Sequence, residues 1–371
     1  MRPEDPTSNV RGTAGRVGRH SLAKQTTAAR PGRIALVGAV HEALPMLTAL
    51  LADARADVVS VITLPQSEAS TLSGPVDLAA VAQPLGVPVL RGLDLGSADS
   101  LRTLAALDLD LMVVAGWTRL VPRTVLTLPR HGCVGFHASL LPHHRGRAPV
   151  NWSIIRGETE TGATMLMLDA GADTGPIIDQ LPLTIGANDT CGTVYERVAD
   201  AGVEMIQRHL PALLAGHPPL RLQRGHEGDT LPRRTPEMGI TDWARTPREI
   251  HDWIRALTHP YPGAFSELDG RTVRLWRAEP GPEQYSTVRA RPGTILDCRD
   301  GGVVVAAHRG TVQLLIVQDG ECEQPAAQWY QERNLSPAGS AFDPIDDATS
   351  RWARGLEPLH ALTSGLFQAA R

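Results

Sequence analysis

A chain of 371 residues with 42 % hydrophobic residues has enough apolar material for more than one core, so two domains are expected. A net charge of -4 argues against a general nucleic-acid or membrane surface. The four cysteines, Cys133, Cys191, Cys298 and Cys322, are scattered, which excludes a disulfide framework or a cysteine-rich zinc site and points to a reducing compartment, the cytoplasm by default.

Residues 1–32 are rich in Arg, Thr, Ser and Gly without hydrophobic period and read as a disordered arm lacking the apolar core of a secretory signal. From Arg33 the pattern becomes regular. RIALVGAV is an apolar strand, ALPMLTALLADA a helix and DVVSVIT a second strand; VDLAAVAQPLG and SLRTLAAL are helices around the short strand VPVLRG, and DLMVVAGW is again apolar on both faces. Strands buried on both sides with helices between them predict an α/β fold with a doubly wound, mostly parallel, Rossmann-like sheet. CVGF is the next strand, APVNWSIIRG a short helix, ATMLMLD and PIIDQLPLTI an antiparallel pair, and Thr190 to Leu214 a long helix that closes a domain over 33–217.

Residues 218–240 are polar and Pro/Gly rich, which predicts a linker. TDWARTPREIHDWIRALTH reads as one helix. Five short strands follow, GAFSELDG, RTVRLWRAE, PGTILDCRD, GGVVVAAH and TVQLLIVQ, and predict a small barrel-like domain of OB type over 241–330; 331–371 is a tail with a helix near RWARGLEPLHALTSGLF. No apolar run approaches the roughly 20 residues needed to span a bilayer.

Ligands of open parallel sheets collect beyond the carboxyl ends of the strands, which is where His137 falls. Asp169 and Asp173 stand in the Gly-rich loop LDAGADTG, and a carboxylate beside an imidazole can orient it and relay a proton. An imidazolium facing a pocket is suited to stabilise a developing oxyanion. His143 and His144 read as loop residues, since no second ligand pair supports a metal site.

FHASLLPHHRGRAP followed by TGATMLMLDAGADTGPII closely resembles the folate-dependent formyltransferases, whose signature is HxSLLPxxRGxAP, then TGxT and DxGxDTG. Similarity continues through TDWARTPREIHDWIRAL, YPGAF and PGTILDCRDGGVVVAA, so it covers about Arg33 to Gln328. The resemblance implies transfer of a formyl group from N10-formyltetrahydrofolate to an amine. It assigns His137 to the oxyanion and Asp173 to tuning His137, and makes Trp117, Arg119, Leu120, Val121, Asp169 and Gly171 the cofactor candidates. Ser139, Arg145 and Arg147 are candidates for the substrate side, Ser139 by supporting the histidine's loop and the two arginines by holding an anion.

One departure matters. The family usually carries an asparagine two residues before the histidine, where this chain has Gly135. A lost donor of that kind costs roughly 3 kcal/mol in the transition state. Asn151, at the start of the next helix, is the favoured substitute, a substrate group or water in its place or a slow or altered enzyme being the alternatives, and a positive φ is a further reason for a glycine at 135.

The acceptor expected from sequence is a primary amine or hydroxylamine of a small molecule, such as an amino sugar nucleotide or amino acid, with a nucleic-acid partner disfavoured. In the tRNA-modifying members a basic loop follows the second strand, and the matching TLPQSEASTLSGPVD has no Lys or Arg. Methionyl-tRNA formyl transfer and hydrolysis of formyltetrahydrofolate are the alternatives.

Overall fold

A computed structural model describes residues 30–224, 228–285 and 289–356. Most of the arm expected over 1–32 and most of the helix expected in the tail lie outside those residues. The first strands alternate with helices: β1 (Gly32–Val37), α1 (Ala43–Ala52), β2 (Ala56–Thr63), α2 (Gln66–Ala69), α3 (Leu78–Ala82), β3 (Val89–Arg91), α4 (Ala98–Ala106), β4 (Leu111–Val114), α5 (Arg123–Leu126) and β5 (Cys133–His137). A two-residue strand, β6 (Arg145–Gly146), precedes α6 (Pro149–Ile155), the hairpin of β7 (Glu160–Met167) and β8 (Ile177–Thr184), and α7 (Cys191–Leu214).

The sheet order is β3-β2-β1-β4-β5-β7-β8, with β1 to β5 parallel and β7 and β8 antiparallel. Burial on both faces explains the unbroken apolar runs. Ile34, Leu36, Val113 and Val134 join one core, while Ala35, Val37, Met112, Val114 and Cys133 join another on the opposite face. The order reverses between β1 and β4, and loops diverge there to leave a crevice. Thr190 caps α7 through a reciprocal bond with Thr193, which sets the start of the long helix where the sequence places it.

The stretch expected as a linker contains β9 (Thr230–Leu231), which pairs in parallel with β6. The helix expected over TDWARTPREIHDWIRALTH is only α8 (Pro247–Leu257), because Thr246 and Glu249 form a capping box and Pro247 occupies its first turn. Beyond it come β10 (Ala264–Leu268), β11 (Arg271–Pro280), β12 (Ile295–Arg299), β13 (Gly302–Ala307), β14 (Gly310–Gln318) and β15 (Glu323–Pro325), then α9 (Ala326–Glu332) and α10 (Asp347–Ala353). Five of those strands are the ones read from the sequence. They form an antiparallel sheet, β10-β11-β14-β13-β12 with β15 on β14, and register shifts in β11 and β12 bend it.

The two expected domains share one compact unit from Pro31 onward. The Asn151 amide of α6 donates to the Ala256 carbonyl of α8, and the Trp253 indole donates to Gly239. Among the described residues no helix is long and apolar enough to cross a membrane.

Candidate active site

A cleft of about 860 Å³ opens at the switch point and extends to the C-terminal domain. Its walls come from the turn after β1, the loop after β4, the end of β5, the RGRAP loop before α6, the loop after β7 and the segments around Arg233 and Tyr261. Gly116, at φ +59, turns the chain after β4 so that its carbonyl accepts from both Ala39 and Val40, tying two of those walls together.

His137 ends β5 and is 7 % exposed. Its Nε2 lies 2.7 Å from the His144 carbonyl, which can only accept, so that nitrogen carries hydrogen and the ring is fixed. Nδ1 faces Asp173, whose Oδ1 is 3.5 Å away, beyond hydrogen-bond length. The other carboxylate oxygen accepts from the Gly146 amide at 2.9 Å. Asp173 itself sits at φ +56, a conformation that a non-glycine residue adopts at a cost and that is common at functional sites.

The route by which Asp173 reaches His137 is not the one suggested by two strand ends meeting. β7 runs antiparallel to β5, with His137 opposite Thr164 and Val134 opposite Met167. The aspartate loop therefore begins beside the start of β5 and doubles back along it. Leu168 lies over Gly135: a Cβ at 135 would stand 2.5 Å from Leu168 Cδ2. Gly135 has no positive φ, so the expected backbone reason for glycine is replaced by this close approach. Gly135→Asn is expected to lower stability by about 1–3 kcal/mol through overpacking, whereas Gly135→Asn with Leu168→Ala has room for the amide and should raise kcat by up to about a hundredfold. Thermal unfolding and turnover of both variants check this.

The inferred cofactor residues cluster. Trp117, Arg119, Leu120, Val121, Asp169 and Gly171 all line the cleft. The Trp117 indole nitrogen is buried with no partner, and Leu120 is 70 % exposed beside it, so this wall offers one free donor and an apolar surface, as a flat, acceptor-rich heterocycle such as a pterin requires. Asp169 mainly shapes its own loop, accepting from the Gly171 amide and the Thr174 hydroxyl. Arg119 is paired with Glu68.

The substrate-side candidates divide. Arg147 is exposed, lines the cleft and donates to the Thr118 carbonyl. Ser139 and Arg145 are buried and outside the cleft lining. The Ser139 hydroxyl donates to the His143 carbonyl, and Arg145 donates twice to Gln223. Nor does the structure bring Asn151 into the cleft. It is fully buried on α6, with its amide nitrogen 2.6 Å from the Ala256 carbonyl, because α6 packs against α8, α7 and β7. Asn151→Ala is accordingly expected to cost about 1–3 kcal/mol of stability by stranding that carbonyl, with kcat within threefold of wild type; chemical unfolding beside steady-state kinetics tests it.

Sequence reading misses Gln223 and Asp229, which brace the site from the supposed linker. Gln223 donates to the carbonyls of Asp173 and Gly175. Asp229 accepts from the His144 amide at 2.6 Å. Burial alone would raise the Asp229 carboxyl, yet that amide and the Arg156 guanidinium outweigh it and hold the group below its ordinary range. Asp229 is placed by the pairing of β6 with β9, and Gln223 follows the bridge of Arg221 with Ile177. The cysteines are free, and burial pushes the Cys133 and Cys191 thiols up to about 12, which removes both as nucleophiles.

A mostly parallel sheet whose switch-point cleft holds His137, Asp173 and an apolar wall suits an enzyme that transfers a group at a carbonyl carbon. The description "Formyl transferase" matches residues 33–210 and "Formyl transferase, C-terminal domain" matches residues 233–334. The chain belongs to the folate-dependent formyltransferase family, whose formyl donor is N10-formyltetrahydrofolate. Methionyl-tRNA formyltransferase of Geobacter sulfurreducens is 34 % identical over 312 residues, spanning 82 % of this chain and 95 % of that protein. Among solved structures, HypX of Aquifex aeolicus in complex with tetrahydrofolic acid shares the fold, with a TM-score of 0.58 at 19 % identity over 85 % of this chain; the chain spans about half of that protein, 49 %. The N-formyltransferase of Helicobacter canadensis with folinic acid and dTDP-3-aminofucose has a TM-score of 0.56 at 16 % identity, over 76 % of this chain and 98 % of its own.

These relatives overturn the expectation of a small-molecule acceptor without nucleic acid. The inference from charge counted a whole chain and one loop, whereas phosphate contacts depend on where individual cations stand. The loop after β2 also does not project as a free arm here. Its Thr71, Leu72 and Ser73 line the cleft, while Arg147 and Arg233 are exposed at the cleft wall.

Proposed function

We propose that the protein transfers the formyl group to the amine of methionyl-tRNA in the cytoplasm. The observation that carries this reading is the likeness to methionyl-tRNA formyltransferases across both domains, at 34 % identity and 95 % of the relative's length. The distant sugar N-formyltransferases support only the shared fold.

N10-formyltetrahydrofolate supplies, when bound, a formyl carbonyl open to attack by an amine. Trp117, Leu120 and Val121 with the Asp169–Gly171 turn would hold its ring system. His137, fixed through Nε2 at the cleft wall, would place its ring beside the negative charge that grows on the formyl oxygen. Asp173, whose Oδ1 lies 3.5 Å from Nδ1, would favour the protonated ring and help move the proton. Gly146 and Gln223 keep Asp173 in place.

The test is incubation of purified protein with N10-formyltetrahydrofolate and methionyl-tRNA, followed by mass spectrometry of the released amino acid. Formylmethionine is expected, with none from free methionine. Formylation of an amino sugar nucleotide but not of methionyl-tRNA would overturn the reading.

A further inference from the structure

Three consecutive backbone amides in the loop after β5 are held by two aspartates. The His144 amide donates to Asp229 Oδ1 at 2.6 Å, the Arg145 amide to the Asp229 carbonyl at 3.1 Å, and the Gly146 amide to Asp173 Oδ2 at 2.9 Å. The same three residues reach both nitrogens of the His137 ring. The His144 carbonyl accepts from Nε2, and the Gly146 amide fixes the carboxylate whose other oxygen faces Nδ1. Whatever sets residues 144–146 therefore sets both partners of that ring.

Asp229 is the outer grip on this stretch. It lies between the segments that match the two formyltransferase descriptions, residues 33–210 and 233–334, and outside the signature. β9 begins at the next residue, Thr230, and pairs with Arg145. His144 stands at φ +58, a backbone conformation that a histidine keeps only where its surroundings impose it. Ser153 Oγ is 3.3 Å from its Nδ1, and Glu158 Oε1 and Arg156 Nη1 are 3.3 Å and 3.1 Å from its Nε2, while Arg156 also donates to Asp229 Oδ2. With ring and amide both anchored, the His144 carbonyl is held toward His137. A carbonyl only accepts, so it keeps hydrogen on Nε2 and leaves Nδ1 as the nitrogen that gains or loses a proton beside Asp173.

We infer that Asp229 is a positioning residue for formyl transfer, which keeps His137 and Asp173 in register by gripping residues 144–146. The inference rests on the role of His137 in the proposed function but not on the identity of the amine. The Asp229 carboxylate is 42 % exposed, so the fold gains little from its ion pair. A misplacement of about 1 Å at a reacting group, by contrast, costs about a hundredfold in rate. Loss of turnover without loss of stability separates this role from a structural one.

Two substitutions test it. Asp229→Ala removes the acceptor of the His144 amide, so kcat should fall at least about tenfold, with KM for N10-formyltetrahydrofolate and for methionyl-tRNA within threefold and the unfolding midpoint near wild type. Asp229→Asn keeps an oxygen for that amide and should hold kcat within threefold of wild type. In two-bond proton–nitrogen spectra of histidine-labelled protein, the His137 signals, identified by their loss in His137→Ala, should report hydrogen fixed on Nε2 in wild type and Asp229→Asn, and mixed tautomers in Asp229→Ala. A smaller fall in kcat, an equal fall in Asp229→Asn, a His137 ring that is the same in wild type and Asp229→Ala, or unfolding of Asp229→Ala at the assay temperature overturns the inference. Should wild type fail to formylate methionyl-tRNA, the proposed function falls, and the His137 signals alone decide the role of Asp229.

Discussion

Replacing His137 by alanine is expected to lower formyl transfer by about a thousandfold or more while leaving the fold intact. Positioned acid–base groups contribute about 10²–10⁴ in rate, and oxyanion stabilisation adds to this when the same ring supplies both. The structural cost is small. Among the described residues the ring hydrogen-bonds only to the His144 carbonyl, which the Ser139 hydroxyl also approaches at 3.4 Å. Circular dichroism and the unfolding midpoint should therefore stay near wild type, with the loss confined to kcat. Activity within tenfold of wild type would remove His137 from the reaction.

Asp173→Asn should reduce turnover by about a hundredfold or more and leave folate binding within a few fold. The amide oxygen of asparagine can still accept from Gly146, as Oδ2 does now. The amide nitrogen then stands where a carboxylate oxygen faced His137 Nδ1, so the negative charge that favours a protonated ring is lost. A carboxylate-to-amide change of this kind in serine protease triads preserves geometry and costs about 10⁴. The φ of +56 at Asp173 is one that asparagine tolerates, so the backbone provides no confounding strain. Equal losses of turnover and of tetrahydrofolate affinity, measured by fluorescence titration, would instead make Asp173 a residue that positions the donor.

Several parts of the site were legible because they are local. A strand that stops at His137 and a turn built on Asp169, Gly171 and Thr174 both follow from short stretches of chain. The loop after β4 is legible in the same way, since Gly116 follows an apolar strand and turns it. Asn151 shows the limit. A helix start near the right loop says nothing of which face looks into the cleft, and the face carrying Asn151 is claimed by α8, a helix 96 residues further on by the start of its first turn at Pro247.

What the sequence by itself determined is the alternation of strand and helix, the family signature and the pairing of chemistry in His137 and Asp173, because hydrophobic period, turn residues and motif spacing are properties of neighbouring residues. Only the tertiary structure decided which polar residues meet. The antiparallel course of β7 brings Leu168 over Gly135 and makes the glycine a matter of space. The bridge of Arg221 with Ile177 and the pairing of β6 with β9 bring Gln223 and Asp229 to brace Asp173 and His144. The packing of α8 on α6 withdraws Asn151. Each of those contacts joins residues distant in sequence, and hydrogen bonds and steric approach at that separation are fixed by the fold as a whole.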